Sequence, residues 1–225
     1  MGDGSAREGA RVRAGAVLAA VSAAGAVAAA AAPADTAALI RPPGARDERD
    51  FLARCIKCGR CMEACPYRAL HADARPTGLG AGAPAVDVRA QACRLCADLP
   101  CIAACPTEAL HPVASRKEVR MGTAVIRRDA CIAVKGMRCE VCYRACPLID
   151  SAIAIDYRLR EGDVTHAVFE PKVDPAFCTG CGLCVQRCPV SQPYPAIEIV
   201  RDEERARARI AEEQRYEAGG WSAGR

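Results

Sequence analysis

Sixteen cysteines are the residues of this 225-residue chain whose type and spacing could do chemistry, and they form four groups. Group one is Cys55, Cys58, Cys61 and Cys65; group two is Cys93, Cys96, Cys101 and Cys105; group three is Cys131, Cys139, Cys142 and Cys146; group four is Cys178, Cys181, Cys184 and Cys188. Every group ends in C-x3-C-P, and groups one and four share the identical spacing C-x2-C-x2-C-x3-C-P. Cysteines at such short intervals serve as disulfide partners or as metal ligands, and their spacing separates these uses.

The spacing favours iron–sulfur clusters over disulfides and zinc. Neighbouring cysteines in a C-x2-C-x2-C run compete for the same partners, which disfavours a disulfide framework. Structural zinc is usually held by two separated C-x2-C pairs. Three cysteines at two-residue intervals, with a fourth before proline, are typical of bacterial ferredoxins that bind [4Fe–4S] clusters. The sequence therefore predicts four [4Fe–4S] clusters with all sixteen cysteines as iron ligands, and a chain that moves electrons and transforms no substrate.

The pairing of the groups depends on the fourth cysteine of each. In two-cluster ferredoxins this cysteine binds the cluster whose other three ligands come from the partner group. The identical spacing of groups one and four favours a nested pairing, in which group one takes Cys188 and group four takes Cys65. Group two would then take Cys146, and group three would take Cys105. Sequential pairing, group one with two and group three with four, is the alternative.

Short loops and strands must position these ligands. Gly59, Gly180 and Gly182 lie in the cysteine loops and allow the backbone angles that a curl around a cluster needs. An aliphatic residue stands five positions before the first cysteine of groups two, three and four, and an apolar pair follows each Cys-Pro. Each repeat thus predicts a short strand, a cysteine loop, a turn at proline and another short strand.

The predicted fold class is α+β, with tandem bacterial-type 2[4Fe–4S] ferredoxin-like domains that contain short strands and few helices. This four-cluster region is predicted over residues 46–200. The chain has only 3 Phe, 5 Tyr and 1 Trp, so its hydrophobic core should be thin. Bound metal is then expected to contribute much of the stability.

The two ends of the chain differ from this region. Residues 1–45 contain an Ala-rich apolar stretch after Arg11 and Arg13, and three interpretations stay open: an export signal, a membrane anchor, or a leader without a targeting role. Residues 201–225 form a charged tail that is predicted to be helical or disordered. The formal net charge of +4 gives no indication of nucleic-acid binding.

Several of these stretches resemble one known family. The sequence "RPPGARDERDFLARCIKCGRCMEACPY" is similar to the start of the mature MauM/NapG ferredoxin-type proteins, and so is "RCEVCYRACPLIDSAI". The C-x2-C-x4-C-x3-C-P form of group two and the seven-residue gap between Cys131 and Cys139 are also like that family. The resemblance covers roughly residues 41–200.

The resemblance implies an electron carrier with four [4Fe–4S] clusters that is exported already folded, periplasmic and membrane-associated. Its electrons would come from quinol oxidation through a membrane ferredoxin-type quinol dehydrogenase subunit. They would pass to a periplasmic redox acceptor, a cytochrome or a reductase of the nitrate reductase type, or serve methylamine utilisation. No nucleic acid and no small-molecule substrate is expected.

One feature departs from the family and two other functions compete. The family's export signal is of the twin-arginine type, whereas Val12 separates Arg11 from Arg13 in this chain.

One competing function is the iron–sulfur subunit of a molybdenum oxidoreductase that resembles dimethyl-sulfoxide reductase B subunits. The other is a zinc-bound structural or interaction protein.

Overall fold

The computed structural model of the chain describes residues 39–159, 167–192 and 194–215. Within these ranges the strands are short: β1 Leu70–Ala72, β2 Pro84–Val86, β3 Thr123–Ile126, β4 Ile153–Leu159, β5 Ala167–Val173 and β6 Ile197–Val200. The helices of the same ranges are α1 Glu48–Arg54, α2 Arg60–Glu63, α3 Pro100–Ala103, α4 Val141–Ala145, α5 Leu183–Arg187 and α6 Glu203–Arg215, with a 3-10 turn at Arg116–Glu118. Most of the helices are one turn long, because they only bridge the last cysteines of each group.

Groups three and four lie in one module, residues 123–200. The antiparallel pair β4–β5 spans the segment between the two groups, with Ile153 opposite Val173. The strand before group three, β3, pairs antiparallel with β6, which follows group four, and Thr123 is opposite Val200. The two groups are therefore enclosed by an inner and an outer strand pair.

Groups one and two lie in a second module of the same design, residues 39–113. Strands β1 and β2 pair antiparallel between the two groups, with Leu70 opposite Val86. In place of an outer strand pair, the N–H of His111 donates a hydrogen bond to the carbonyl oxygen of Gly44 at 2.9 Å. The two modules therefore repeat one topology, and in the described part of the first module this contact takes the place of the outer strand pair.

The first module begins before residue 46, which corrects the predicted boundary between leader and cluster region. Ile40 forms a β-bridge with Val86, and both are buried. The Arg41 side chain is 1% exposed and donates to the carbonyl oxygen of Pro84 at 3.1 Å. The segment after residue 38 is thus part of the core. Most of the predicted leader, residues 1–38, lies outside the described residues.

The core is small, as the composition predicted. Its largest fully buried apolar side chains include Phe51 and Leu95, and many of the remaining core positions are alanine or cysteine. Phe51 is placed by α1, whose N-cap Asp47 accepts a hydrogen bond from the N–H of Asp50 at 2.9 Å. Such an N-cap stabilises a short helix because it satisfies a free backbone donor of the first turn.

Helix α6 accounts for the described part of the charged tail. Ala206 is buried, and Glu213 accepts a hydrogen bond from the backbone N–H of Arg128 at 2.9 Å. The tail therefore packs against the second module; residues 216–225 lie outside the described residues. Among the helices of the described ranges, none combines the length and the apolar character that crossing a membrane requires.

Candidate iron–sulfur sites

The four groups share one local backbone design. In each, a one-turn helix carries the third cysteine: α2 holds Cys61, α3 holds Cys101, α4 holds Cys142 and α5 holds Cys184. The fourth cysteine follows within a few residues and precedes proline. Since three cysteines lie in one compact loop and the fourth beyond its helix, the fourth can reach a neighbouring site.

The loops curl through left-handed backbone positions. The residue before the second cysteine has a positive φ in groups one, two and four: 56° at Lys57, 53° at Leu95 and 70° at Gly180. Gly59 and Gly182, which follow the second cysteine, have φ of 80° and 85°. The predicted use of these glycines is confirmed. Lys57 and Leu95 were missed, because a left-handed non-glycine residue has no signal in its own identity.

Group one is completed by Cys105 of group two. Burial raises the pKa of the Cys61 thiol to about 11, and its charged neighbours Cys55, Cys105 and Cys58 act in the same direction. Burial opposes ionisation of the Cys105 thiol, but hydrogen bonds from the backbone of Leu110, Thr107 and Ala109 outweigh burial and lower the pKa of this thiol below its usual value. These four sulfurs form site one.

Group two is completed by Cys65 of group one. A pocket that opens to solvent is lined by Cys65, Cys93, Cys96 and Cys101 together with apolar side chains. Burial raises the pKa of Cys93 and of Cys101 to about 12, and Cys65 contributes to both shifts. These four sulfurs form site two.

Groups three and four exchange their last cysteines in the same way. A pocket that opens to solvent is lined by the cysteines of site three, which are Cys131, Cys139, Cys142 and Cys188. Burial raises the pKa of Cys142 to about 12, with Cys131, Cys139 and Cys188 as further causes. Cys146 lies beside group four: it contributes, after burial and Cys178, to raising the pKa of Cys181 to about 11. Cys178, Cys181, Cys184 and Cys146 form site four.

The nested pairing that the sequence favoured is wrong, and the sequential alternative is the one that the structure shows. Cys188 lies with group three and not with group one, and Cys65 lies with group two and not with group four. Likewise, Cys105 lies with group one and Cys146 with group four. The physical reason is local: an antiparallel strand pair joins each group to the next one along the chain.

The donor sets fit [4Fe–4S] clusters. Four cysteines line each of the pockets at sites two and three, while no three His, Cys, Asp or Glu residues of the described ranges converge on a point suited to a single metal ion. A four-iron cluster is held at its corners by four thiolates. Burial opposes ionisation of these thiols, and iron would supply the positive charge that keeps a thiolate ionised there.

Backbone N–H groups also reach the sulfurs. The N–H of Ala69 donates to Cys65 Sγ at 3.3 Å, that of Leu95 to Cys93 Sγ at 3.4 Å, and that of Ala124 to Cys178 Sγ at 3.4 Å. Hydrogen bonds to the ligand sulfurs are one of the factors that set the potential of such clusters. The strand ends and loops thus position the cysteines and would tune the potential of a cluster bound there.

Comparison with known proteins agrees with this arrangement. Residues 54–109 and 131–191 each match the family described as the 4Fe-4S dicluster domain, so each match covers one sequentially paired set of groups. The ferredoxin-type protein NapG of Escherichia coli K12 is 41% identical over 163 residues, which are 72% of this chain and 70% of that protein. The methylamine utilization ferredoxin-type protein MauM of Methylophilus methylotrophus is 42% identical over 165 residues, 71% of this chain and 70% of that protein.

A third relative is more distant. The ferredoxin-type protein NapF of Escherichia coli K12 is 32% identical over 152 residues, 68% of this chain and 81% of that protein. The tandem ferredoxin-like α+β fold is confirmed by the twofold match to the dicluster domain and by the short strands in small sheets. The chain belongs to the NapG/MauM family of ferredoxin-type proteins, which are iron–sulfur proteins of electron transfer.

Proposed function

We propose that the chain is a polyferredoxin that carries four [4Fe–4S] clusters and relays electrons from quinol oxidation toward a periplasmic reductase. The observation that carries this proposal is the grouping of all sixteen cysteines into four sites of four sulfurs. Each cluster, when bound, would accept and return one electron at a time. With four thiolates per cluster, no iron position is left for a substrate, so the proposed role is electron carriage and not catalysis.

The chain's own residues have three tasks in this function. The sixteen cysteines hold the clusters as iron ligands. The left-handed loop positions and the one-turn helices fix the spacing of three ligands, and the exchanged fourth cysteine ties two groups into one module. The buried apolar side chains around Cys93, Cys101 and Cys181 keep water from the inner ligands.

The proposed partners are those that the resemblance of the sequence to the family implies. The donor would be a membrane ferredoxin-type quinol dehydrogenase subunit, and the acceptor would be a periplasmic cytochrome or a reductase of the nitrate reductase type. Because one relative is named for methylamine utilization, that pathway is a further setting for the same relay. We propose a periplasmic, membrane-associated location on the same basis.

A reconstituted system tests the relay. Liposomes that contain a reduced quinol, with or without the membrane ferredoxin-type subunit, are mixed anaerobically with the oxidised, cluster-loaded protein. Bleaching of the visible iron–sulfur absorption should require both the quinol and the membrane subunit. A protein that dithionite reduces but that stays oxidised in the complete system would contradict the proposed donor.

A further inference from the structure

The two modules meet where group two contacts group four. The backbone N–H of Cys93, a site-two ligand, donates a hydrogen bond to the carbonyl oxygen of Cys181, a site-four ligand, at 3.0 Å. A second backbone hydrogen bond, from the N–H of Met121 in the segment between the modules to the carbonyl oxygen of Thr179 at 2.9 Å, holds the same loop of group four. Ligands of two different sites are thus joined by a single hydrogen bond.

Two glycines of group four permit this close approach. Both have positive φ, 70° at Gly180 and 85° at Gly182. A methyl group on Gly180 would overlap the backbone of Gly122, and one on Gly182 would overlap the Val88 side chain. The loop of group four can therefore lie against the neighbouring segments only because it has no side chain at these points.

Polar side chains hold the contact on its outer side. Arg89 donates from Nη1 to the carbonyl oxygen of Val185 at 2.7 Å. In the opposite direction, Gln186 donates from Nε2 to the carbonyl oxygen of Ala90 at 2.9 Å. Each side chain bonds to the backbone of the other module, so this contact is a built interface.

The burial of the ligands distinguishes the two sites at this contact from the two others. Sites two and four each have two buried ligands, which are Cys93 and Cys101 in one and Cys178 and Cys181 in the other. Site one has only Cys61 buried, and its Cys58 is exposed. Site three has only Cys131 buried. Sites two and four are therefore the interior sites, and sites one and three are closer to solvent.

We propose that the contact between Cys93 and Cys181 is the junction at which electrons cross between the modules. The four sites then act in the order one, two, four, three, which differs from their order in the sequence. Sites one and three become the two ends, where external redox partners would exchange electrons. This inference rests on the proposed electron-carrier function.

The crossing is a one-electron exchange without bond changes. Clusters held by the ligands of sites two and four would exchange one electron, the donor going from the 1+ to the 2+ state and the acceptor from 2+ to 1+. The chain sets the distance between the clusters of sites two and four. It also provides the path of the electron, through the Cys93 amide and the Cys181 carbonyl. No proton or leaving group moves.

The test uses Gly182→Ala in the full-length, cluster-loaded protein. Its matched control is Gly59→Ala, because Gly59 occupies the same position in the group-one loop, with a φ of 80°, but would bring its methyl no closer than 3.7 Å to Met62. Both proteins are fully reduced with dithionite, and spin–spin coupling between clusters is measured by EPR, beside iron and sulfide content. We expect Gly182→Ala to lose the coupling between modules and Gly59→Ala to retain it.

A compensating variant distinguishes loss of this contact from a general folding defect. The double variant Gly182→Ala with Val88→Gly removes both overlapping atoms, Val88 Cγ1 and Cβ, and leaves Val88 Cα at 3.5 Å from the added methyl, so it should restore the coupling. Unchanged coupling in a fully loaded Gly182→Ala protein would overturn the junction, as would a wild-type protein whose clusters couple only within each module. Those results would leave the electron-carrier function standing, whereas a protein without clusters would reject that function itself.

Discussion

Arg201 contacts the carboxylate of Glu48 across 153 residues of sequence, and the same carboxylate accepts a hydrogen bond from Arg41 Nη2 at 2.6 Å. Arg201 also donates to the carbonyl oxygen of Arg46 at 3.1 Å. It directly follows β6 of the second module, while its partners begin the first. The ends of the two modules are therefore tied together. Burial acts to raise the pKa of Glu48, but hydrogen bonds from Arg41 and Arg201 outweigh it and lower the pKa from its ordinary value.

Replacing Arg201 should weaken this tie. Because the Glu48 side chain is 41% exposed, we expect Arg201→Ala to lower the free energy of unfolding by only about 1 kcal/mol. The matched control is Arg207→Ala, whose pair with Glu203 at 2.6 Å is exposed and should matter by less than about 0.5 kcal/mol. Anaerobic thermal denaturation of the loaded proteins measures both. Equal shifts of the two thermal unfolding midpoints would show that the Arg201–Glu48 contact stabilises the fold no more than an exposed ion pair does.

The same pair predicts a pH dependence. A carboxyl group with a lowered pKa stabilises the folded state above its unfolded pKa, and this contribution is lost as pH falls through the folded pKa. The ordinary pKa of Glu48 is 4.5, so the difference between wild type and Arg201→Ala should be full at neutral pH and shrink below that value. A difference that grows on acidification would be inconsistent with a charged Glu48.

Gly44 should tolerate no side chain. Its φ is +83°, and a methyl group there would lie 2.5 Å from the carbonyl oxygen of His111. Gly78→Ala is the matched control, since Gly78 has a φ of +97° with no atom within 4 Å of the added carbon. Both variants place alanine at a positive φ, which destabilises the backbone. Only Gly44→Ala also creates a steric overlap with His111, so its free energy of unfolding should be about 1–3 kcal/mol lower than that of the control. Thermal midpoints that drop equally would show that contact with His111 is unimportant.

Paired cysteine replacements test which groups share clusters. Cys131→Ala with Cys188→Ala removes two ligands of site three, so about 12 iron atoms per chain should remain. Nested pairing would instead affect two clusters and leave fewer intact. Cys131→Ala with Cys146→Ala is the control, because these cysteines belong to sites three and four. Iron and sulfide analysis with EPR counts the intact clusters, and equal damage in the two double variants would contradict the sequential pairing.

The sequence predicted sixteen candidate ligands, but it did not predict how the four groups pair. Cysteine spacing reports the shape of a loop, and groups one and four do have similar loops, with Gly59 and Gly182 at equivalent left-handed positions. The cysteine spacing does not indicate which fourth cysteine reaches which loop. That is decided by strand pairing, such as β4 with β5, whose register depends on tertiary packing.

The sequence also did not predict where the first module begins. The stretch "RPPGA" has the composition of a linker, yet Arg41 is buried there among Glu48, Phe51 and the carbonyl oxygen of Pro84. A buried arginine is stabilised only by partners that the fold brings together. Because these partners lie on α1 and β2, composition alone could not place residues 39–45 in the core.

Removal of the clusters should unfold most of the chain. The described strands pair only in twos, and an isolated two-stranded sheet is marginal in water. The ligands of each site come from two groups, so metal binding and folding are coupled. We expect chelation of iron under reducing, anaerobic conditions to abolish near-UV circular dichroism and cooperative melting. An apo chain that melts cooperatively would refute this coupling.

Iron and acid-labile sulfide analysis of the anaerobically purified protein, with low-temperature EPR after reduction, tests the central claim most directly. Four sites of four thiolates predict about 16 iron and about 16 sulfide per chain, with the EPR signals of reduced [4Fe–4S] clusters. About 8 iron per chain would mean that only one module binds clusters. A colourless protein that carries zinc and no sulfide would contradict the account as a whole.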